Sequence, residues 1–214
     1  MTEVNEVKSR PSAVEIISTV LLAVAAVATA WSGYQATRWN GEQAKTAGKV
    51  NATRIDAASA ANLANAQTQV DVLTFAQWVD AYARKETFLA DFYFKRFRPE
   101  FEPAVKAWLE TRPIRNPDAP KTPFAMPEYQ LAAREESERL VAEAEVLAAN
   151  VREYIQHASN YVLGVVLFSI ALFFAGMSTK LTAPRLRWAI LTVGCLVFLG
   201  TLVWIAMSPV TVSI

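Results

Sequence analysis

Three stretches without a single Asp, Glu, Lys, Arg or His constrain this chain more than any other feature of its sequence. They cover residues 16–35, 161–179 and 188–214. An α-helix of about 20 apolar residues is long enough to cross the hydrocarbon core of a bilayer, which is about 30 Å thick. The sequence therefore predicts three transmembrane helices, with a large polar insert between the first and the second.

Basic side chains near these stretches predict how the chain is oriented. Lys8 and Arg10 precede the first stretch, and Lys180, Arg185 and Arg187 lie between the second and the third. Because Lys and Arg are enriched in short cytoplasmic segments, we expect both regions inside the cell and the insert outside. The predicted order is a cytoplasmic tail (1–13), a transmembrane helix (14–35), an extracytoplasmic helical domain (36–158), a second transmembrane helix (159–179), a cytoplasmic turn (180–187), a third transmembrane helix (188–208) and a short tail (209–214).

The first stretch has features of both an anchor and a cleaved leader. Ala28-Thr29-Ala30 resembles a signal-peptidase site. However, Ser12 and Glu15 have the spacing of a capping box, which is typical of the start of a stable helix. The preceding segment also carries acidic residues, so we predict an uncleaved anchor.

The uneven distribution of proline predicts the organisation of the insert. Residues 12–98 contain no proline, and seven of the ten prolines lie in 99–127. Because proline interrupts helices, we expect two helical arms joined by an irregular, proline-rich tip at 99–127. The first arm is much longer than the second, so we expect it to break at 67–71 or 84–86. The fold class is then all-α, with a helical bundle or hairpin between the first two spans.

Aromatic and basic residues gather around the proline-rich tip. They either form a small core that closes the end of the bundle or present a surface to a partner, and both descriptions can hold together. The candidate partner surface consists of Phe94, Arg96, Phe97, Arg98, Phe101, Trp108, Arg112, Arg115 and Phe124.

Small residues follow one face of the first predicted span. Such a seam lets helices approach closely in lipid, and we favour this packing role over the lining of a pore, which three spans alone cannot enclose. Gly164, Gly194 and Gly200 are expected to be further points of close approach. The candidate seam consists of Ser18, Ala25, Thr29 and Ser32.

The composition offers little material for catalysis. The chain has one histidine, His157, and one cysteine, Cys195. No metal-ligand cluster, phosphate loop or nucleophile motif is present, so we expect no cofactor and no enzymatic activity. The insert has 16 Lys and Arg against 17 Asp and Glu, so its charge does not indicate a nucleic-acid partner.

Residues 30–44 (AWSGYQATRWNGEQA) carry a resemblance to a known group of proteins. The segment resembles one that follows the first span in uncharacterised bacterial three-span membrane proteins, which share the layout of one pass, a helical insert and two closing passes. The resemblance implies a bacterial inner-membrane protein and brings no known activity. Here the segment forms either a polar and aromatic collar between the membrane helices and the outer domain or an ordinary interfacial anchor. The collar consists of Trp31, Tyr34, Arg38, Trp39, Asn40 and Glu42.

These observations favour a non-catalytic membrane protein whose outer helical domain mediates assembly or partner binding. We expect contact with the lipid bilayer, homo-oligomerisation and, as a further partner, another membrane or envelope protein. One alternative is a subunit of an oligomeric membrane channel. A second is a membrane sensor that acts through a partner protein.

Overall fold

The computed structural model describes residues 12–211, and this part of the chain is helical, without any β-strand. The predicted all-α fold is therefore confirmed. Most of the predicted cytoplasmic tail, with Lys8 and Arg10, lies outside the described residues, as do 212–214 of the C-terminal tail. The elements are α1 (Ala13–Ala83), α2 (Thr87–Phe94), α3 (Glu102–Glu110), a 3₁₀ turn (Pro123–Ala125), α4 (Ala132–Lys180) and α5 (Pro184–Ala206).

Three of these helices, α1, α4 and α5, are long and apolar enough to cross a membrane. The first two uncharged stretches lie within α1 and α4, and α5 contains residues 188–206 of the third. The chain therefore fits a multi-pass membrane protein.

The chain divides into two compact units. The terminal unit comprises Met1–Ala47 and Ala148–Ile214, and the central unit comprises Gly48–Leu147. The terminal unit contains the apolar portions of α1, α4 and α5. The central unit contains the polar portions of α1 and α4, together with α2 and α3.

The start of α1 has the predicted capping box. The backbone N–H of Ser12 donates to Glu15 Oε2 at 3.2 Å, and the N–H of Glu15 donates to Ser12 Oγ at 3.4 Å. These two bonds satisfy amide groups that the first turn of a helix leaves without partners.

The first arm continues through 67–71 and ends at Ala83, so the expected break occurs at the second of the two predicted places. The N–H of Glu86 donates to the carbonyl of Ala81 at 3.0 Å, which closes the end of the helix. Lys85 takes the left-handed conformation that such a turn requires, with φ of 59°.

The proline-rich tip is more regular than the sequence predicted, because 99–127 contains α3 and the 3₁₀ turn. Pro103 lies in the first turn of α3, where a helix does not need the missing N–H. Proline therefore starts this helix instead of preventing it, and the expectation of a wholly irregular segment was wrong.

Small side chains hold the helices of the terminal unit together. Ala25, Ala171 and Ala175 have no exposed surface. A Cβ atom added to Gly164 would lie 2.8 Å from Ile205 Cδ1, and one added to Gly194 would lie 3.1 Å from Phe174 Cβ. Both glycines are points of close approach, as predicted.

Gly200 does not share this role, because a Cβ atom added there meets nothing within 4 Å. The prediction for Gly200 was wrong, since it faces away from the neighbouring helices.

Aromatic side chains form the core of the central unit. Phe101 has no exposed surface, and Trp78 of α1 is 6% exposed. Phe75 of α1 meets Phe101 edge-on, with ring centroids 6.1 Å apart. This core fixes the segment between α2 and α3 against the end of α1.

Candidate functional site

The aromatic residues of the predicted partner surface lie mostly in the core of the central unit. Phe97 is 6% exposed and Phe101 is fully buried. Phe124 stacks on Phe101 at 4.9 Å, and Phe94 meets Phe97 at 5.5 Å. These four rings therefore stabilise the unit, and only Phe94 and Phe124 keep an appreciable exposed surface.

Trp108 is half-buried and holds the loop that follows α3. Its Nε1–H donates to the carbonyl of Pro120 at 2.7 Å. One face of its ring packs on Phe75, with centroids 5.5 Å apart. The loop between Trp108 and Pro120 carries Arg112 and Arg115.

The arginines of the predicted surface have different environments. Arg98 turns inward, with Nη1 3.5 Å from Asp71 Oδ2 and Nη2 2.9 Å from Glu100 Oε2. The Arg96 guanidinium lies over the ring of Phe92 at 3.5 Å. The side chains of Arg112 and Arg115, by contrast, are exposed to solvent.

Asp71 is the most deeply buried charged residue of the central unit, with no exposed surface. The Tyr129 hydroxyl donates to Asp71 Oδ2 at 3.0 Å, while Asp71 Oδ1 has no hydrogen-bond partner in the described part of the chain. Burial raises the pKa of Asp71, and the Tyr129 hydrogen bond and the Arg98 charge act in the opposite direction. This cluster joins the middle of α1 to the segments that precede α3 and α4.

An open groove lies beside the aromatic core, and we call it the tip groove. Two adjoining cavities of about 690 and 700 Å³ form it, and both are lined by Val79, Tyr82 and Ile114. Clefts of this size are typical of binding sites. The remaining lining residues are Trp78, Ala83, Lys85, Thr87, Ala90, Trp108, Leu109, Arg112, Pro113 and Arg115.

Three residues of the tip groove, Trp108, Arg112 and Arg115, belong to the predicted partner surface. Sequence reasoning missed its centre, formed by Val79, Tyr82 and Ile114. One signal was available, since Ile114 is an apolar residue isolated among arginines and prolines in a short loop. Val79 and Tyr82 gave no such signal, because their spacing is also that of core residues.

The predicted seam lies inside the terminal unit. Ser18 and Ser32 have no exposed surface, and Ser18 Oγ is 2.7 Å from Ser178 Oγ of α4. The Thr29 hydroxyl donates to the carbonyl of Ala25 in its own helix at 2.7 Å. The seam residues therefore face the neighbouring helices of the same chain.

The predicted collar separates into exposed and buried residues. Trp31 and Tyr34 lie together on the outer face, 47% and 52% exposed, with ring centroids 5.9 Å apart. Asn40 is exposed, and Glu42 pairs with Lys45 at 3.8 Å. These residues form a polar and aromatic strip along α1, with Arg38 half-buried beside it.

Trp39 is the buried member of the collar and packs against α4. Its ring lies 5.4 Å from Tyr154 and 4.6 Å from His157. Its Nε1–H donates to the carbonyl of Pro209 at 3.2 Å, and the Tyr161 hydroxyl donates to the same carbonyl at 3.0 Å. Trp39 therefore helps to hold the segment that follows α5.

Gln35 completes the attachment of that segment. Its Oε1 accepts the backbone N–H of Thr211 at 3.1 Å, and its Nε2 donates to the Thr211 carbonyl at 3.4 Å. Gln35 has no exposed surface, so a polar side chain inside the unit is matched by backbone groups of the C-terminal segment.

Within residues 12–211, no group of three or more His, Cys, Asp or Glu side chains is placed to hold a metal ion. His157 lies 3.3 Å from Glu153 one turn away on α4. The tip groove is the concave surface that we take as the candidate binding site.

No protein-family model, curated protein or solved structure matches this chain. A function has therefore to be inferred from the tip groove and from the apolar helices of the terminal unit.

Proposed function

We propose that this chain is a membrane-anchored, non-catalytic binding protein whose central unit holds a partner protein in the tip groove. One observation carries the proposal: exposed apolar side chains converge on one concave surface, where Ile114 is 84%, Tyr82 56% and Val79 40% exposed. Single exposed apolar residues are normal on protein surfaces, whereas a contiguous apolar surface with a polar rim is typical of an interaction site. Aromatic and Arg residues, which are favoured at interfaces, also line the groove.

The apolar helices of the terminal unit support the membrane-anchored part of the proposal. Val27, Leu196 and Phe173 are more than 60% exposed on the outside of this unit, and lipid is the solvent in which such a surface is stable. Extraction of isolated membranes with alkaline carbonate tests this part. The protein is expected in the pellet, and its release into the supernatant would contradict membrane insertion.

We further propose a bacterial inner membrane as the location, with the turn before α5 in the cytoplasm and the central unit outside. The resemblance of residues 30–44 and the basic residues Lys180, Arg185 and Arg187 support this. In a Cys195→Ser background, an impermeant maleimide added to intact spheroplasts is expected to label Ile114→Cys but not Ala183→Cys. The reverse pattern would show the opposite orientation.

A photo-crosslinking residue at position 114 tests the binding function directly. We expect Ile114, replaced by a photoreactive amino acid in cells of the source organism, to crosslink to a discrete partner that mass spectrometry identifies. The same replacement at Ile55, which is 69% exposed on the central unit but outside the groove, is the matched control.

Two results would contradict the proposed function. One is the absence of any crosslinked species from position 114 under all growth conditions. The other is the same set of crosslinked species from positions 114 and 55, because that would show random collision instead of binding at the groove.

Ser18, Ala25 and Ser32 are buried within one chain and Thr29 is partly buried, so these positions do not favour the channel alternative, which stays a prediction. Homo-oligomerisation stays a prediction. Chemical crosslinking in native membranes tests it, and a monomer at every protein density would contradict it.

A further inference from the structure

We infer that the tip groove binds an acidic protein segment in which carboxylates flank an apolar side chain. This inference rests on the proposed function and names the chemistry of the partner. It depends on the shape of the groove and on the charges along it.

The groove has an apolar centre with a basic group on either side. Val79, Tyr82 and Ile114 line both cavities and therefore form the centre. Lys85 lines only one cavity, and Arg112 and Arg115 line only the other. A ligand that fills the centre with an apolar side chain thus meets positive charge in both directions.

Among residues 12–211, no acidic side chain lines the groove, although the central unit as a whole has more acidic than basic residues. The acidic neighbours in sequence are Asp80, Glu86 and Glu110, and Asp80 is already paired with Arg84 at 3.1 Å. The positive charge is therefore a local property of the groove.

The three basic side chains of the groove are also unpaired. Within residues 12–211, Lys85, Arg112 and Arg115 take part in no ion pair and no side-chain hydrogen bond.

Other basic residues of the central unit differ in this respect. Lys95 lies 2.6 Å from Asp91, and Lys106 lies 2.6 Å from Glu102. The groove thus keeps its basic groups available to carboxylates supplied from outside the chain.

Two of these basic residues are held in a costly backbone conformation. Lys85 has φ of 59° and Arg112 has φ of 52°, and they are the two non-glycine residues with positive φ among the described residues. Glycine or asparagine adopts this region at lower cost. Both residues lie two positions after a helix end, where a left-handed residue closes the turn and a basic side chain also meets the partial negative charge of the helix C-terminus.

Fluorescence anisotropy with two synthetic peptides tests the inference on the full chain in phosphatidylcholine nanodiscs. The first peptide is fluorescein-labelled and has the sequence EELLEELLEE, and the second has glutamine in place of every glutamate. We expect the acidic peptide to bind at least tenfold more tightly than its neutral counterpart, and to lose affinity as salt is raised from 50 to 500 mM.

A triple variant and a matched control locate the binding. Replacing Lys85, Arg112 and Arg115 by glutamine is expected to weaken the acidic peptide about tenfold or more, because three exposed charge pairs each contribute modestly. Replacing Arg84, Lys95 and Lys106 by glutamine removes the same charge at positions already paired within the chain, and is expected to change the affinity less than twofold.

The inference is overturned if the two peptides bind equally, if neither binds, or if the triple variant behaves like the control variant. A crosslink from position 114 to a non-acidic segment also overturns it, while leaving the proposed function in place. A crosslink from position 114 to a second copy of this chain likewise overturns it, because the occupant is then not a separate partner.

Discussion

The terminal and central units differ in the side chains that they bury and in those that they expose. In the terminal unit, the fully buried side chains include Ser18, Ser32 and Gln35, while Val27 and Leu196 are exposed. In the central unit, Trp78, Phe97 and Phe101 are buried together with small apolar side chains, and charged residues such as Arg84 and Lys95 lie outside. The terminal unit thus exposes apolar side chains, which suit lipid, and the central unit exposes charged side chains, which suit water.

The two units therefore specify their helix arrangements by different interactions. Burying apolar surface does not distinguish one helix arrangement from another in lipid, so close contacts and hydrogen bonds must do so. In water, burial of the aromatic core supplies most of the stability. Four substitutions test this contrast between the units, and the one with the greatest expected change in stability comes first.

The largest effect is expected from Phe101→Ala in the central unit. Removing a fully buried ring from a packed core costs about 3–5 kcal/mol, and Phe101 contacts Phe75, Phe97, Phe124 and Tyr129. Urea unfolding of the full chain in detergent micelles, followed by tryptophan fluorescence, measures the change. Phe88→Ala is the control, because Phe88 is 85% exposed, and equal effects of the two changes would disprove the aromatic core.

The next effect is expected from Gly164→Leu in the terminal unit. The new side chain would start 2.8 Å from Ile205 Cδ1 and 3.5 Å from Ser32 Oγ, and overpacking of this kind costs about 1–3 kcal/mol. Titration with SDS in mixed micelles, followed by circular dichroism, reports the loss. Gly176→Leu on the same helix has no atom within 4 Å of its Cβ and should be at least as stable as the native protein.

A smaller effect, visible only as a pH dependence, is expected from Asp71→Asn. Because burial raises the pKa of Asp71 above 3.8, the folded state binds this proton more tightly than the unfolded state. The unfolding free energy of the native protein therefore contains a contribution that is lost as pH rises from about 3.8 through the raised pKa. The variant lacks this contribution, so its stability relative to the native protein should increase with pH over that window.

Glu100→Gln provides the control for that pH dependence. The hydrogen bond from Arg98 lowers the pKa of Glu100 below 4.5, so its contribution is lost as pH falls and has the opposite sign. If both variants shift the pH profile in the same direction, the description of the Asp71 cluster is wrong.

The smallest effect is expected from Arg112→Gly. Glycine relieves the strain at φ of 52° but increases the freedom of the unfolded chain, so we expect a gain of only about 0.5 kcal/mol in unfolding free energy. Thermal unfolding measures it, with Arg115→Gly as the control without positive φ. A loss of stability in Arg112→Gly would contradict strain at this position.

The sequence was sufficient to predict the three long helices but not the tip groove. Uncharged stretches and proline spacing depend on local chemistry, so they predicted α1, α4 and α5 and a break in the first arm, for which 67–71 and 84–86 were both left open. The tip groove depends on which face of α1 the later loop covers. Val79 and Trp78 are adjacent apolar residues of one helix, yet Trp78 is 6% and Val79 40% exposed.

The burial of charged residues was equally hard to predict from the sequence, as Asp71, Arg98 and Arg112 show. Asp71 lies in one of the two places where the first arm was expected to break, because a polar segment in a long helix is usually exposed. The residues that cover it, Arg98 and Tyr129, are distant in sequence. Arg98 and Arg112 are likewise the same residue type in the same region, and only tertiary contacts make one internal and the other available.

The two sets of hydrogen bonds in the terminal unit limit the motions it can make. Ser18 meets Ser178 at one end of the helices, and Gln35 meets Thr211 at the other. Sliding α1 along both of its neighbours by a single turn, about 5.4 Å, would separate both pairs at once. A piston-like shift of α1 is therefore a motion that these hydrogen bonds oppose.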